Sequence, residues 1–226
     1  MGICTAQGFA HQSMLQWYHE NVHTSHRLIS CQLGSGCSIT AVNGKQIVDH
    51  SMGFTSLEGL IMATRTGSID PSIIFYLHRQ AKMSIDDIEQ LLYYKSGLLG
   101  LSDDKTNDME ELLKSEGRDK NAKLAVTMFV YSIVKTIAGY IAVMGGVDAI
   151  IFGGGIGEHA AEIRKRVLDG LAVFNFAAID EDANKQGKDS RCVTKADSGK
   201  QPQAYVHAVD EAAIMAQEAV NCLKSS

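Results

Sequence analysis

The sequence predicts an α/β layered domain in which an antiparallel β-meander leads into strand–helix units. Three observations carry that expectation. An Asn43-Gly44 pair joins two β-rich runs, a long helical pattern occupies 119–144, and a glycine cluster at 153–157 follows a short, wholly apolar run. Antiparallel strands first and strand–helix alternation afterwards is the order of a layered α/β fold.

Residues 1–27 are polar, His-rich and weakly periodic, and set no clear element. Three strand-like runs follow at 28–33 (LISCQL), 37–42 (CSITAV) and 45–50 (KQIVDH), broken by Gly34-Ser35-Gly36 and by Asn43-Gly44. Asn-Gly between β-rich runs is a strong hairpin signal, because both turn positions need φ > 0. An apolar stripe through Leu57, Leu60 and Ile61 predicts a short helix within 52–69. Asp70-Pro71 marks a turn or helix start. Ser84 with Asp87 three residues on is a capping box opening a helix to about residue 94. Residues 102–108 (SDDKTND) form a polar loop, and Gly145-Gly146 stops the long helix. A buried parallel-type strand at 148–152 runs into the glycine cluster, and a helix is expected from about 158 to 173. Further strands are expected at 174–179 and 205–209, separated by a polar loop region over 180–203. A helix over 210–223 closes the chain.

At 226 residues the chain forms one core or two small ones, since separate cores become the rule only beyond roughly 250–300 residues. With 45% hydrophobic residues it has ample material for a core, which excludes global disorder. Net charge is 21 − 26 = −5 with no basic block, so nucleic acid and anionic membrane are not expected partners. The apolar stretch 124–144 is interrupted by Lys135 and is expected to be a buried helix rather than a span. Cys4, Cys31, Cys37, Cys192 and Cys222 form no CxxC pair, and 1–20 lacks a signal-peptide pattern. A reducing, cytoplasmic setting is expected.

Two glycine turns carry the candidate chemistry. In strand–GGGIG–helix, the glycines allow close backbone approach to a ligand, and the helix start offers unpaired N–H groups to an anion. No Gly-Lys-Ser/Thr follows, so it is not a Walker loop. Gly155-x-Gly157-x-x-Ala160, with Asp180 downstream, also fits a dinucleotide fingerprint, which keeps an NAD-dependent oxidoreductase open. Against it, only one more strand–helix unit follows Asp180. The second turn, Gly34-Ser35-Gly36, can place N–H groups on a phosphate, or can simply be a turn. The pairing of a glycine hairpin with a GGxG helix start is similar to the layout of the actin-like ATPase (ribonuclease H-like) fold.

Longer motifs sharpen this. Thr24-Ser25-His26, the run DHSMGFTSLEGL at 49–60, TRTGSIDP at 64–71, SGLLGLS at 96–102, the helix beginning AKLA at 122, and GGGIGE at 153–158 together resemble the acetate kinase family over about 23–223. The resemblance implies transfer of the ATP γ-phosphoryl group to a short-chain carboxylate, with ATP and Mg²⁺ as cofactors and a homodimer as the assembly. It implies Arg65 as the catalytic arginine and Glu211 as a magnesium contact. Gly34, Ser35, Gly36, Gly154, Gly155, Ile156, Gly157 and Glu158 are the implied nucleotide-binding residues. Residues 28–226 then form the nucleotide-side domain, behind a divergent segment, 1–27.

Departures from the family pattern are equally specific. Its N-terminal domain, with an NxGSSS phosphate turn and further active-site residues, has no counterpart here, and 1–20 match nothing recognisable. Aligning Thr24-Ser25-His26 with the family's FHGTSH puts Val22, rather than His23, on the motif's first histidine. CHLGNG becomes Cys31-Gln32-Leu33-Gly34-Ser35-Gly36, Ser56 replaces a pocket proline, and Glu110 replaces an arginine near the expected nucleotide. A chain lacking the partner lobe is alternatively a non-catalytic nucleotide-binding or dimerising module.

Overall fold

Strand alternation decides how the sheet is used. The computed structural model describes residues 8–22, 26–187, 189–195 and 201–225. The expected meander forms as β1 (Arg27–Leu33), β2 (Cys37–Asn43) and β3 (Gln46–His50), all antiparallel. On β1, Ile29, Cys31 and Leu33 face one side and Leu28 and Ser30 the other, as a period of two requires. Both faces are covered, so β1 is buried almost throughout. β4 (Ala149–Gly153) lies parallel to β1 and to β6 (Gln203–Val206), and β5 (Arg191–Cys192) pairs antiparallel with β6. The order β3-β2-β1-β4-β6-β5 puts the β1–β2 hairpin beside the C-terminal end of β4.

Ten helices are described, and the first six precede β4. They are α1 (Gly8–Asn21), α2 (Ser72–Arg79), α3 (Ile85–Tyr94), α4 (Gly97–Leu101), α5 (Met109–Ser115) and α6 (Lys120–Met144). Ser84 caps α3 by accepting the Asp87 N–H, as the capping box predicts. Asp119 caps α6 in the same way, and Gly145 ends it in the left-handed region. Phe129, Ile133, Ile137 and Ile141 bury the inner face of α6 against the sheet. This helix is long and apolar enough to cross a membrane, yet here it is the core helix of one sheet face.

The other face is covered by α1, against which α10 (Glu211–Ser225) packs. Residues 8–21 thus form a helix where the sequence set no clear element. Polar ties hold it. The His11 ring bonds Ser30 Oγ (2.7 Å) and Ser38 Oγ (2.8 Å), while Ser13 bonds His207 (2.8 Å) and Trp17 stacks on the same ring.

Burial, together with the neighbouring His50 ring, lowers the His11 pKa from 6.5 to about 3. A group whose folded pKa is depressed in this way is neutral in the fold and charged in the unfolded chain at intermediate pH. The unfolded chain therefore binds more protons between about pH 6.5 and 3, and stability falls as pH drops through that window. The urea midpoint is expected to fall between pH 7 and pH 5, and His11→Gln to flatten that slope. An unchanged slope in His11→Gln would remove His11 as its source.

Four expectations are corrected. Residues 52–69 form no helix, because their backbone groups bond other segments, Ala63 N–H to Ser35 O and Thr66 N–H to Leu92 O, or close a wide loop, Ser68 N–H to Gly59 O. The helix expected from 158 starts earlier and is broken, as α7 (Gly154–His159) and α8 (Ala161–Gly170), with Ala160 non-helical between them. Residues 174–179 are not a strand. Ala172–Phe174 is a 3-10 turn, and Ile179 makes a single bridge to Thr194. The last parallel strand spans Gln203–Val206 rather than 205–209, and the polar loop before it holds β5 and α9 (Glu181–Lys185).

Candidate active site

The β1–β2 hairpin turn and the β4–α7 turn are brought together by sheet order alone. Gly34 N–H donates to Gly36 O across the hairpin (3.1 Å), and a side chain at Gly34 would lie 3.9 Å from Gly155 N. Ala63 N–H donates to Ser35 O (3.1 Å), which draws the Arg65 loop to the same place. That loop rests on α4: Leu98 and Leu99 N–H groups donate to the Met62 and Ala63 carbonyls.

The result is a cleft of about 670 Å³. One end is made by Gly34, Ser35, Thr64, Arg65, Gly155 and Ile156. Asn107, Asp108, Met109, Glu110, Leu113 and the α7–α8 elbow from His159 to Glu162 complete the lining. The size suits a nucleotide, and the two glycine turns leave backbone open to it.

Five of the residues expected from the sequence line this cleft: Gly34, Ser35, Arg65, Gly155 and Ile156. Gly36, Gly154, Gly157 and Glu158 do not line it and build the wall from behind. The Glu158 carboxylate accepts the N–H of Gly154 (3.0 Å) and of Val209 (3.2 Å), so it ties the glycine turn to the segment before α10. Glu211 opens α10 two residues after Val209. It is exposed and outside the cleft wall, and no hydrogen bond or ion pair to it is found among the described residues. Its hard carboxylate oxygens suit Mg²⁺, which keeps several waters and takes phosphate oxygens. No cluster of three or more His, Cys, Asp or Glu that could hold a metal occurs among the described residues, so such an ion would rely on the nucleotide's own oxygens.

Arg65 is half-buried. One guanidinium nitrogen donates to Ser56 O (3.2 Å) and meets Met62 Sδ (3.6 Å), and no carboxylate pairs with it among the described residues. Its charge therefore has no carboxylate partner among the described residues of the cleft. The expected negative charge of Glu110 is present on the wall, but Lys114 pairs with it at 2.5 Å. Asp180, the acid of the dinucleotide fingerprint, instead caps α9 by accepting the Asp182 and Ala183 N–H groups. His23, Thr24 and Ser25 lie outside the described residues.

The sequence reading missed Asn107, Asp108 and the elbow residues. Asp108 had a legible signal, an N-cap whose side chain accepts the Glu111 N–H. The elbow had none, because Ala160 breaks a helix without Gly or Pro.

The sequence profile of the acetokinase family matches residues 4–217. The chain belongs to that family. The match extends through residues 4–20, which had no recognisable counterpart by inspection. The acetate kinase of Chloroherpeton thalassium is 41% identical over 217 residues, covering 95% of this chain and 51% of that protein. The acetate kinase of Thermoanaerobacterium thermosaccharolyticum is 46% identical over 174 residues, or 76% of this chain and 43% of its own length. Among solved structures, Porphyromonas gingivalis acetate kinase superposes with a TM-score of 0.87 at 29% identity, covering 96% of this chain and 54% of its own. A propionate kinase from Francisella tularensis gives 0.84 at 36% identity, covering 94% and 54%. The acetokinase chain described here thus has the actin-like ATPase fold and spans about half the length of these relatives. The oxidoreductase alternative falls with this assignment.

Proposed function

We propose that this chain binds Mg·ATP in the cleft and carries the nucleotide side of an acetate kinase reaction, ATP and acetate giving ADP and acetyl phosphate. The observation that supports it is the convergence of two glycine turns and an uncompensated Arg65 on one cleft. In the reaction an ionised carboxylate oxygen forms a bond to the γ-phosphorus. The bond from that phosphorus to the bridging oxygen breaks, its electron pair leaving on ADP. The acceptor carboxylate is already deprotonated near neutral pH, so positioning and charge neutralisation carry the chemistry.

Arg65 would hold phosphoryl and carboxylate oxygens with its planar fork. The turns at Gly34-Ser35 and Gly155-Ile156 would accept the phosphate chain. Glu211 is the proposed protein ligand for magnesium, which would supply charge neutralisation on the phosphoryl oxygens. The test is hydroxylamine trapping of acyl phosphate with Mg·ATP and acetate, using Arg65→Ala as control. A signal lost in the variant supports a working kinase. Silence from a folded chain that still binds ATP favours the second reading, a nucleotide-binding module.

The assembly proposed is a homodimer. Helix α2 buries none of its residues, and Ile73, Phe75 and Tyr76 stand exposed on it, Phe75 at 57% and Tyr76 at 64%. A second copy of the same face would cover them. Sedimentation velocity is expected to give a dimer, and Phe75→Asp with Tyr76→Asp a monomer. A monomeric unaltered chain would contradict it. The free thiols of Cys31, Cys37 and Cys192 support the proposed cytoplasmic setting.

A further inference from the structure

Arg164 is 1% exposed, and no carboxylate pairs with it among the described residues. Its Nη1 donates to the Gly157 carbonyl (2.7 Å) and the Glu158 carbonyl (2.9 Å). Its Nε donates to Asn184 Oδ1 (2.8 Å), and Nη2 donates to the Asn184 carbonyl. Asn184, 2% exposed, returns its side-chain N–H to the Ala161 carbonyl (3.0 Å). A buried guanidinium held only by neutral groups is unfavourable compared with an apolar side chain of the same volume. Here it provides direction. The α7–α8 break at Ala160 takes the i+4 helical partners from the Gly157 and Glu158 carbonyls, and Arg164 donates to both, while Asn184 adds a bond to the Ala161 carbonyl at the start of α8.

The clamped elbow lines the same cleft as Asn107 and Leu113. On the outer side of α8, two residues along and so on the opposite helix face, Arg166 grips Glu116 with both guanidinium nitrogens (2.8 and 2.5 Å). Helix α8 is thereby fixed on both sides, to α9 behind and to the end of α5 in front.

We propose that Arg164 and Asn184 are positioning residues that set the elbow wall, and with it the seat of the nucleoside, without touching the ligand. The proposal rests on the nucleotide reading of the cleft. The phosphate end is built separately, from the hairpin, Arg65 and Gly155, so the clamp should act on the two ends of a nucleotide unequally.

Titration calorimetry with Mg·ATP and with magnesium tripolyphosphate tests this on the full chain, comparing the unaltered protein with Arg164→Lys, Arg164→Met and Asn184→Ala. Circular dichroism melts confirm that each variant is folded at the assay temperature. Arg164→Lys keeps the charge but not the fork. The expected result is Mg·ATP binding weakened ~10-fold or more in both Arg164 variants, and less in Asn184→Ala. Tripolyphosphate binding should stay within about twofold of the unaltered chain. Equal loss for both ligands, or Mg·ATP affinity unchanged in folded variants, overturns the proposal. Should Arg164→Met fail to fold, Arg164→Lys and Asn184→Ala carry the test. Failure of the unaltered chain to bind either ligand overturns the nucleotide reading, and the proposal with it.

Discussion

Gly154→Ala is expected to abolish measurable Mg·ATP binding while leaving a folded but less stable protein. Gly154 has φ +77°, where an L side chain is strained by about 1–2 kcal/mol. An added Cβ would also lie 2.7 Å from the Leu33 carbonyl and 2.8 Å from Gln32 Nε2, both on the hairpin strand. Relief requires the glycine turn to withdraw from the hairpin, which opens the phosphate end of the cleft at Gly34 and Gly155. The Gly154 N–H would also lose its bond to Glu158, the tie that reaches Val209. A thermal melt and a Mg·ATP titration check this together. Retained affinity in a folded Gly154→Ala chain would mean that the turn does not contact the ligand.

Gly97→Ala is expected to destabilise the protein by about 3 kcal/mol or more and to displace Arg65. Gly97 has φ +60°, and a Cβ there would sit 2.2 Å from Met62 O and 2.6 Å from Arg65 O, both rigid backbone atoms. The same carbonyls and their neighbours accept N–H groups from Ser96, Leu98 and Leu99, so the whole Arg65 loop would have to lift from α4. Urea unfolding measures the first effect. The second predicts weakened Mg·ATP binding at temperatures where the variant remains folded. A variant with unchanged midpoint would show that the loop can move without strain.

Much of this cleft was legible before the fold was known. The meander followed from Asn43-Gly44, the capped α3 from Ser84 and Asp87, and the core helix from its apolar spacing between Asp119 and Gly145. The two glycine turns were legible as turns, and sheet order then placed them side by side. What escaped was set by tertiary contact rather than local preference. The stripe at Leu57, Leu60 and Ile61 has helical spacing, but the backbone around it bonds the hairpin, α3 and α4 and closes its own loop rather than forming a helical ladder. Phe174 and Ile179 look strand-like by composition, yet only one bridge forms there. Glu158 and Arg164 have no periodic signal at all. Their roles depend on which backbone groups the elbow leaves unpaired, and that is visible only in three dimensions. Glu158, expected at the ligand, does not line the cleft, and its carboxylate ties the turn to the segment before α10.

The most direct test of the account is calorimetric titration of the purified chain with Mg·ATP, run beside Arg65→Ala and Gly154→Ala. The account predicts one saturable site per chain. Affinity should fall ~10-fold or more in Arg65→Ala, the loss of a charge-assisted bond to phosphate, and no site should be detected in Gly154→Ala. No binding by the folded, unaltered chain, or binding indifferent to both substitutions, would contradict it.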